Sequence, residues 1–153
     1  MVLLRKSIPQ KINLLTAAEL GVKRNLVVDL DEYCNHVKAS YPEISARADV
    51  EYDKTWNTFI KMEFSSYSWF ESLAVALNKE MTKKIDPIKY KGLFAEIGRE
   101  FSVAEHEVRN AIDVSFVENL FWQVSEKDSE NYWEVLPENL KALYLDFHRR
   151  LPF

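Results

Sequence analysis

The chain has 153 residues, is 47% hydrophobic and 13% aromatic, and carries a net charge of −4, which suits one compact domain with a substantial core. Three glycines and no GxGxxG or GxxxxGK[ST] pattern exclude a Gly-rich phosphate loop, and one cysteine, Cys34, excludes an internal disulfide framework or a multi-Cys zinc knuckle. The N-terminal run Met1 to Pro9 does not read as a signal peptide, and no stretch approaches the roughly 18 apolar residues of a membrane span, so a soluble cytoplasmic protein is expected.

Helix signals follow one another along the chain. Thr16-Ala-Ala-Glu19 has capping-box spacing, with Gly21 as a stop. Leu26, Leu30, Tyr33, Cys34 and Val37 recur at three and four, which predicts a helix over 25–40. Pro42 opens a short helix from Glu43 to about Val50. Residues 51–64 fit two periods. Trp56, Thr58, Ile60, Met62 and Phe64 alternate as in a strand, yet Trp56, Phe59, Ile60 and Glu63 share a helical face. No second strand is there to pair with, so helix is preferred. Residues 66–82 carry the clearest amphipathic pattern, with Trp69, Phe70, Leu73, Ala74, Leu77 and Met81 on one side.

Asp86-Pro87 caps a further helix through Tyr90, Leu93, Phe94 and Ile97. Ser102 with Glu105 forms another capping box, opening an apolar helix over 103–122 that is expected to be the central one. The polar gap 125–130 precedes Tyr132-Trp133, and Pro137 opens a last helix with Leu140, Leu143, Tyr144 and Phe147 as its stripe. The expected fold is therefore all-α, a single domain over 1–153 built as a bundle of six to eight helices around 103–122.

Within that central helix one residue stands out. At 100° per residue, Arg109, Asn110 and Asp113 share a polar face, while Glu118 falls among Ala111, Val114, Phe121 and Trp122, and Asn119 lies beside Val108 and Ile112. A carboxylate on a core stripe needs a partner or a proton. Glu118 and Asn119 are read as buried structural polar residues; the alternatives for Glu118 are a general base, with Asn119 orienting it, and a groove-lining position on a helix that is not fully covered. The three histidines, His36, His106 and His148, form no i, i+4 metal pair, and His148 near the last turn suits the helix dipole. No cofactor or metal site and no catalytic constellation is expected.

Charge is blocked along the chain. Residues 1–24 and 79–99 are basic; 29–53 and 118–138 are acidic. Such blocks commonly form solvated faces, but they also suit docking of a basic partner and argue against direct nucleic-acid binding. The candidate partner-binding residues are Asp29, Asp31, Glu32, Asp49, Glu51 and Asp53, then Glu126, Asp128, Glu130 and Glu134, with Tyr132 and Trp133 as aromatic anchors.

The segments Trp69-Phe-Glu-Ser-Leu-Ala74 with Asn78, Ser115-Phe-Val-Glu-Asn-Leu-Phe-Trp122, and Leu136-Pro-Glu-Asn-Leu-Lys-Ala-Leu-Tyr144 resemble small helical bacterial proteins, some of them immunity proteins of contact-dependent or other polymorphic toxin systems. The resemblance covers 69–144, rests on helix-packing residues, and carries no catalytic signature. It implies a cytoplasmic, non-enzymatic protein that binds one cognate toxin domain, often a nuclease, and blocks its active site or substrate access. The alternatives are a helical adaptor that binds a host protein and a small enzyme that uses Glu118.

Overall fold

A computed structural model describes residues 28–60 and 62–153. The capping box at Thr16, Leu26 and the basic block 1–24 lie outside the described residues. Among the described residues the structure is all-helical with no strand, and comprises seven α-helices with short 3-10 and π turns.

Helix α1 spans Leu30–Ser40 and is capped by the Asp29 carboxylate, which accepts the Glu32 amide at 2.8 Å. Helix α2, Pro42–Trp56, starts on its proline as expected but runs beyond Val50. The ambiguous stretch 51–64 thus divides. Its first part is helix; the rest is irregular chain, which leaves Phe59 96% and Ile60 74% exposed. Helix α3, Ser66–Thr82, begins at the Ser65 cap and buries eleven of its seventeen residues. A helix covered around so much of its surface is the centre of the bundle, and α1, α2, α6 and the 111–119 region all pack on it.

The expectation that 103–122 forms the central helix is corrected. Helix α4, Lys91–Val103, follows a 3-10 turn, Pro87–Tyr90, whose Asp86 cap accepts the Ile88 amide at 3.0 Å. Ser102 is not a cap: it lies inside α4 and donates to the Gly98 carbonyl at 3.2 Å. The break falls at Ala104 and Glu105, both extended, before α5 begins at His106–Asn110. That helix widens into a π turn, Ala111–Phe116, tightens into a 3-10 turn, Val117–Asn119, and stops at Leu120, where ψ is 146°. A helix that changes pitch twice turns its side chains away from the positions that a uniform 100° step assigns.

The polar stretch 125–130 is helical rather than a gap. Ser125 caps α6, Glu126–Trp133, by accepting the Asp128 amide at 3.2 Å. Helix α7 spans Glu138–His148 from Pro137. It is set close to α4, where Asn139 donates to the Gly98 carbonyl at 2.8 Å and a Cβ on Gly98 would stand 3.0 Å from Pro137. Leu140 and Tyr144 of its expected stripe are buried, whereas Phe147 is 57% exposed. The buried apolar side chains of all seven helices join in one core.

Leu77 sits fully buried at the middle of α3. Leu77→Ala should cost about 2–5 kcal/mol through lost burial and the cavity left behind. Urea unfolding followed by circular dichroism checks this.

Candidate functional site

A cleft of about 700 Å³ opens where the 3-10 turn after α5 ends and α7 passes beside it. Glu118, Leu120 and Trp122 form one wall; Tyr144, His148 and Arg150 form another. Its shape follows from how the chain leaves the turn. Phe121 and Gln123 adopt φ of 69° and 57°, and Arg149, across the cleft, adopts 60°. Left-handed backbone at a bulky aromatic such as Phe121 costs of order 1–3 kcal/mol and persists only where the surroundings hold it.

What holds it is Asn78, buried on α3. Its amide nitrogen donates to the Asn119 carbonyl at 2.9 Å and its amide oxygen accepts from the Phe121 N–H at 2.8 Å. One side chain thereby satisfies the backbone on both sides of the helix end. Asn119 adds a bond of its own, donating to the Ser115 carbonyl at 2.7 Å. From the α7 side, His148 Nε2 lies 3.0 Å from the Glu118 carbonyl and donates to it, while the His148 ring stacks on Tyr144 at 4.1 Å between centroids. The histidine expected to complement a helix dipole therefore also ties α7 to the turn. Phe121 points inward, where it packs with Trp133 and Tyr144.

Because the turn reverses direction at Phe121, the next side chain faces outward: Trp122 is 68% exposed. The sequence reading placed the two tryptophans the other way round. Trp133 is buried among Phe121, Tyr144 and Phe153, and Tyr132 is buried with its hydroxyl donating to the Ile85 carbonyl at 2.7 Å. Tyr132 and Trp133 are therefore corrected from partner-facing anchors to core residues. The aromatic that sequence reasoning missed is Trp122, hidden by the assumption of an unbroken helix.

Glu118 is also corrected. It is half-buried at the cleft wall, not sealed in the core, and among the described residues no cation or hydrogen-bond donor meets its carboxylate. Burial raises its pKa, the nearby Asp113 raises it further, and His148 lowers it. Asp113 is itself raised, by burial and then by Asp146, against Arg109. Asn119, expected to be buried, is likewise half-buried, with its side chain bonded to the Ser115 carbonyl.

The acidic blocks separate by use. Most of the first is engaged inside the fold. Asp29 caps α1, and Asp31 accepts from Ser66 Oγ at 2.5 Å. Asp49 accepts from Trp69 Nε1 at 2.8 Å and pairs with Lys38 at 3.5 Å. Glu51 pairs with Lys79 at 2.7 Å, Asp53 accepts from Asn57 at 2.8 Å, and Glu32 stays exposed. In the second block Asp128 is bound by Lys84 at 2.9 Å and Ser125 at 2.8 Å, contacts that hold its carboxyl below the ordinary range. Glu126, Glu130 and Glu134 are exposed at i, i+4 and i+8, on one face of α6, with no ion pair among the described residues. Glu126 also lines the cleft, so the acidic stripe runs on from it.

Two predictions follow from this geometry. Asn78→Leu strips the Asn119 carbonyl and the Phe121 amide of their partner, which should cost about 1–3 kcal/mol and change the emission of Trp122. A thermal melt with tryptophan fluorescence checks both. For Glu118 the folded pKa lies above the unfolded one, so the native state binds the extra proton in the window between them and stability falls as pH rises through it. Glu118→Gln should therefore raise the melting temperature at pH 7, with the gain shrinking as the pH is lowered below the carboxylate range.

No curated protein and no solved structure matches this chain. A protein family described as a domain of unknown function, DUF7674, matches residues 34–150, from the middle of α1 to just beyond α7 and through both walls of the cleft. The chain belongs to the DUF7674 family.

Proposed function

We propose that this domain is a protein-binding inhibitor, a cytoplasmic immunity-type protein that neutralises a cognate basic toxin domain through the cleft and the neighbouring face of α6. The observation that carries this reading is Trp122, a large aromatic two-thirds exposed on a strained turn that Asn78 pins to the central helix. An exposed tryptophan on a rigid mount loses little conformational freedom on binding and buries a large apolar area, the profile of an interface anchor. The stripe Glu126, Glu130 and Glu134 supports a basic partner. Like charges at i, i+4 weaken a helix by a few tenths of a kcal/mol per pair; Glu126, in the first turn, is offset by the helix dipole, but Glu130 and Glu134, toward the other end, are not. The stripe supplies a negative field that steers a cationic partner toward the cleft. Asp49, Glu51 and Asp128 support the same division, since they are paired with Lys38, Lys79 and Lys84 and have less field left to offer.

The partner is sought first in the product of the adjacent reading frame, by co-purification and by rescue of growth when that product is expressed. Trp122→Ser should weaken the complex by about thirtyfold or more, chiefly through faster dissociation, with an unchanged melting temperature. Glu126→Lys with Glu130→Lys should slow association, and the slowing should fade as salt shortens the Debye length below about 10 Å. Retention of full affinity by Trp122→Ser, or normal growth of cells that express the neighbouring product without this protein, would overturn the reading.

A further inference from the structure

We propose that the cleft takes a lysine or arginine side chain of its partner, with the cation on the Glu118 carboxylate and the stem between Trp122 on one wall and Tyr144 on the other. The proposal rests on the docking reading above and deepens it by naming what enters.

The covered carboxylates of the fold differ in what meets them. Glu80, buried on α3, has Lys83 at 2.7 Å, the Tyr90 hydroxyl at 2.6 Å and Arg47 at 3.7 Å. Burial alone would raise its pKa, but these partners outweigh burial and lower it. Asp128 has Lys84 and Ser125, Glu51 has Lys79, and Glu96 has His36 at 3.3 Å and the Tyr41 hydroxyl at 3.2 Å. These covered acids come with donors. Glu118 and Asp113, both half-buried with the pKa raised by burial, have no hydrogen-bond donor among the described residues, and of the two it is Glu118 that lines the cleft.

The nearby cations are otherwise disposed. His148 directs Nε2 to the Glu118 carbonyl rather than to its carboxylate. Arg150 stands near enough to Tyr144 to lower that phenol's pKa against burial, yet forms no ion pair with Glu118. Asp113, close by, adds negative potential instead of relieving it. A carboxylate left in that field, beside an exposed indole, is completed by a cation with an apolar stem. Such a ligand gains a charge-assisted hydrogen bond and a cation–π contact together.

The test uses small probes on the intact, isotope-labelled protein: N-acetyl-arginine amide and N-acetyl-lysine amide, against the neutral near-isosteres N-acetyl-citrulline amide and N-acetyl-norleucine amide. Titration by NMR should show the cationic probes shifting the Trp122 indole N–H and the backbone amides of Glu118 and Phe121. The neutral probes should bind at least about tenfold more weakly, as expected for loss of one charged contact. Glu118→Gln should weaken the cationic probes by a similar factor and leave the neutral ones unchanged, while Glu105→Gln, an exposed acid away from the cleft lining, changes neither. Equal shifts from neutral and cationic probes, shifts outside the cleft, or undiminished cation binding by Glu118→Gln would each overturn the proposal. Failure of the probes together with loss of partner by Trp122→Ser removes this inference alone. Specific cation binding with no effect of Trp122→Ser on the partner removes the docking reading instead.

Discussion

The arrangement turns on one buried amide. Asn78 sits on the most enclosed helix of the bundle and bonds to the chain on either side of the point where the 106–119 helical region stops. A helix end leaves carbonyls and amides without partners, and in a covered position water cannot serve them. Asn78 supplies one acceptor and one donor to the two groups that need them. In doing so it offsets the cost of left-handed backbone at Phe121, turns that ring into the core, and turns Trp122 out of it. The cleft, its aromatic rim and the position of Glu118 all depend on where that reversal falls.

The second organising constraint is electrostatic. Basic and acidic segments that alternate along the chain are folded against one another, so Lys79 meets Glu51, Lys84 meets Asp128 and Lys89 meets Glu43, while Lys38 meets Asp49 within the first acidic segment. Part of the blocked charge thus acts as an internal complement. The α6 glutamates beside the cleft stand outside this pairing among the described residues. Exposed pairs contribute little to stability, so the value of this sorting lies less in holding the fold than in deciding which face a charged partner meets.

Backbone irregularity concentrates at the cleft. The π turn 111–116, the 3-10 turn after it and, among the described residues, three of the four non-glycine left-handed residues lie at or beside the cleft, while α1, α2 and α3 are regular. Departures from regular geometry of this kind gather where a chain must present a side chain against its local preference. The His148–Tyr144 stack and the bond from His148 to the Glu118 carbonyl lock the opposite wall, so both sides of the cleft are rigidly mounted.

Much of the architecture was legible in the sequence. The all-helical class, the exact span of α3, the Asp86-Pro87 start and the Pro137 start follow from short-range rules of periodicity and capping, and such rules act within one or two turns. The short polar helix α6 was not legible as a helix, because its stability comes from a Ser125 cap and from burial of Tyr132 and Trp133 rather than from an apolar stripe. Glu118 was legible as an anomaly, its place on a groove only as one alternative, and Trp122 was read on the core stripe. Both misplacements have one source. Nothing local in 103–122 announces the break at Ala104 or the reversal at Phe121; the reversal is held by a side chain more than forty positions away in the sequence. By itself the sequence determined which segments are helical and which faces are apolar, because those depend on neighbours along the chain. Only the tertiary structure decided which tryptophan is exposed, which acids remain unpaired and where the cleft opens, because those depend on which distant donor meets which orphaned backbone group.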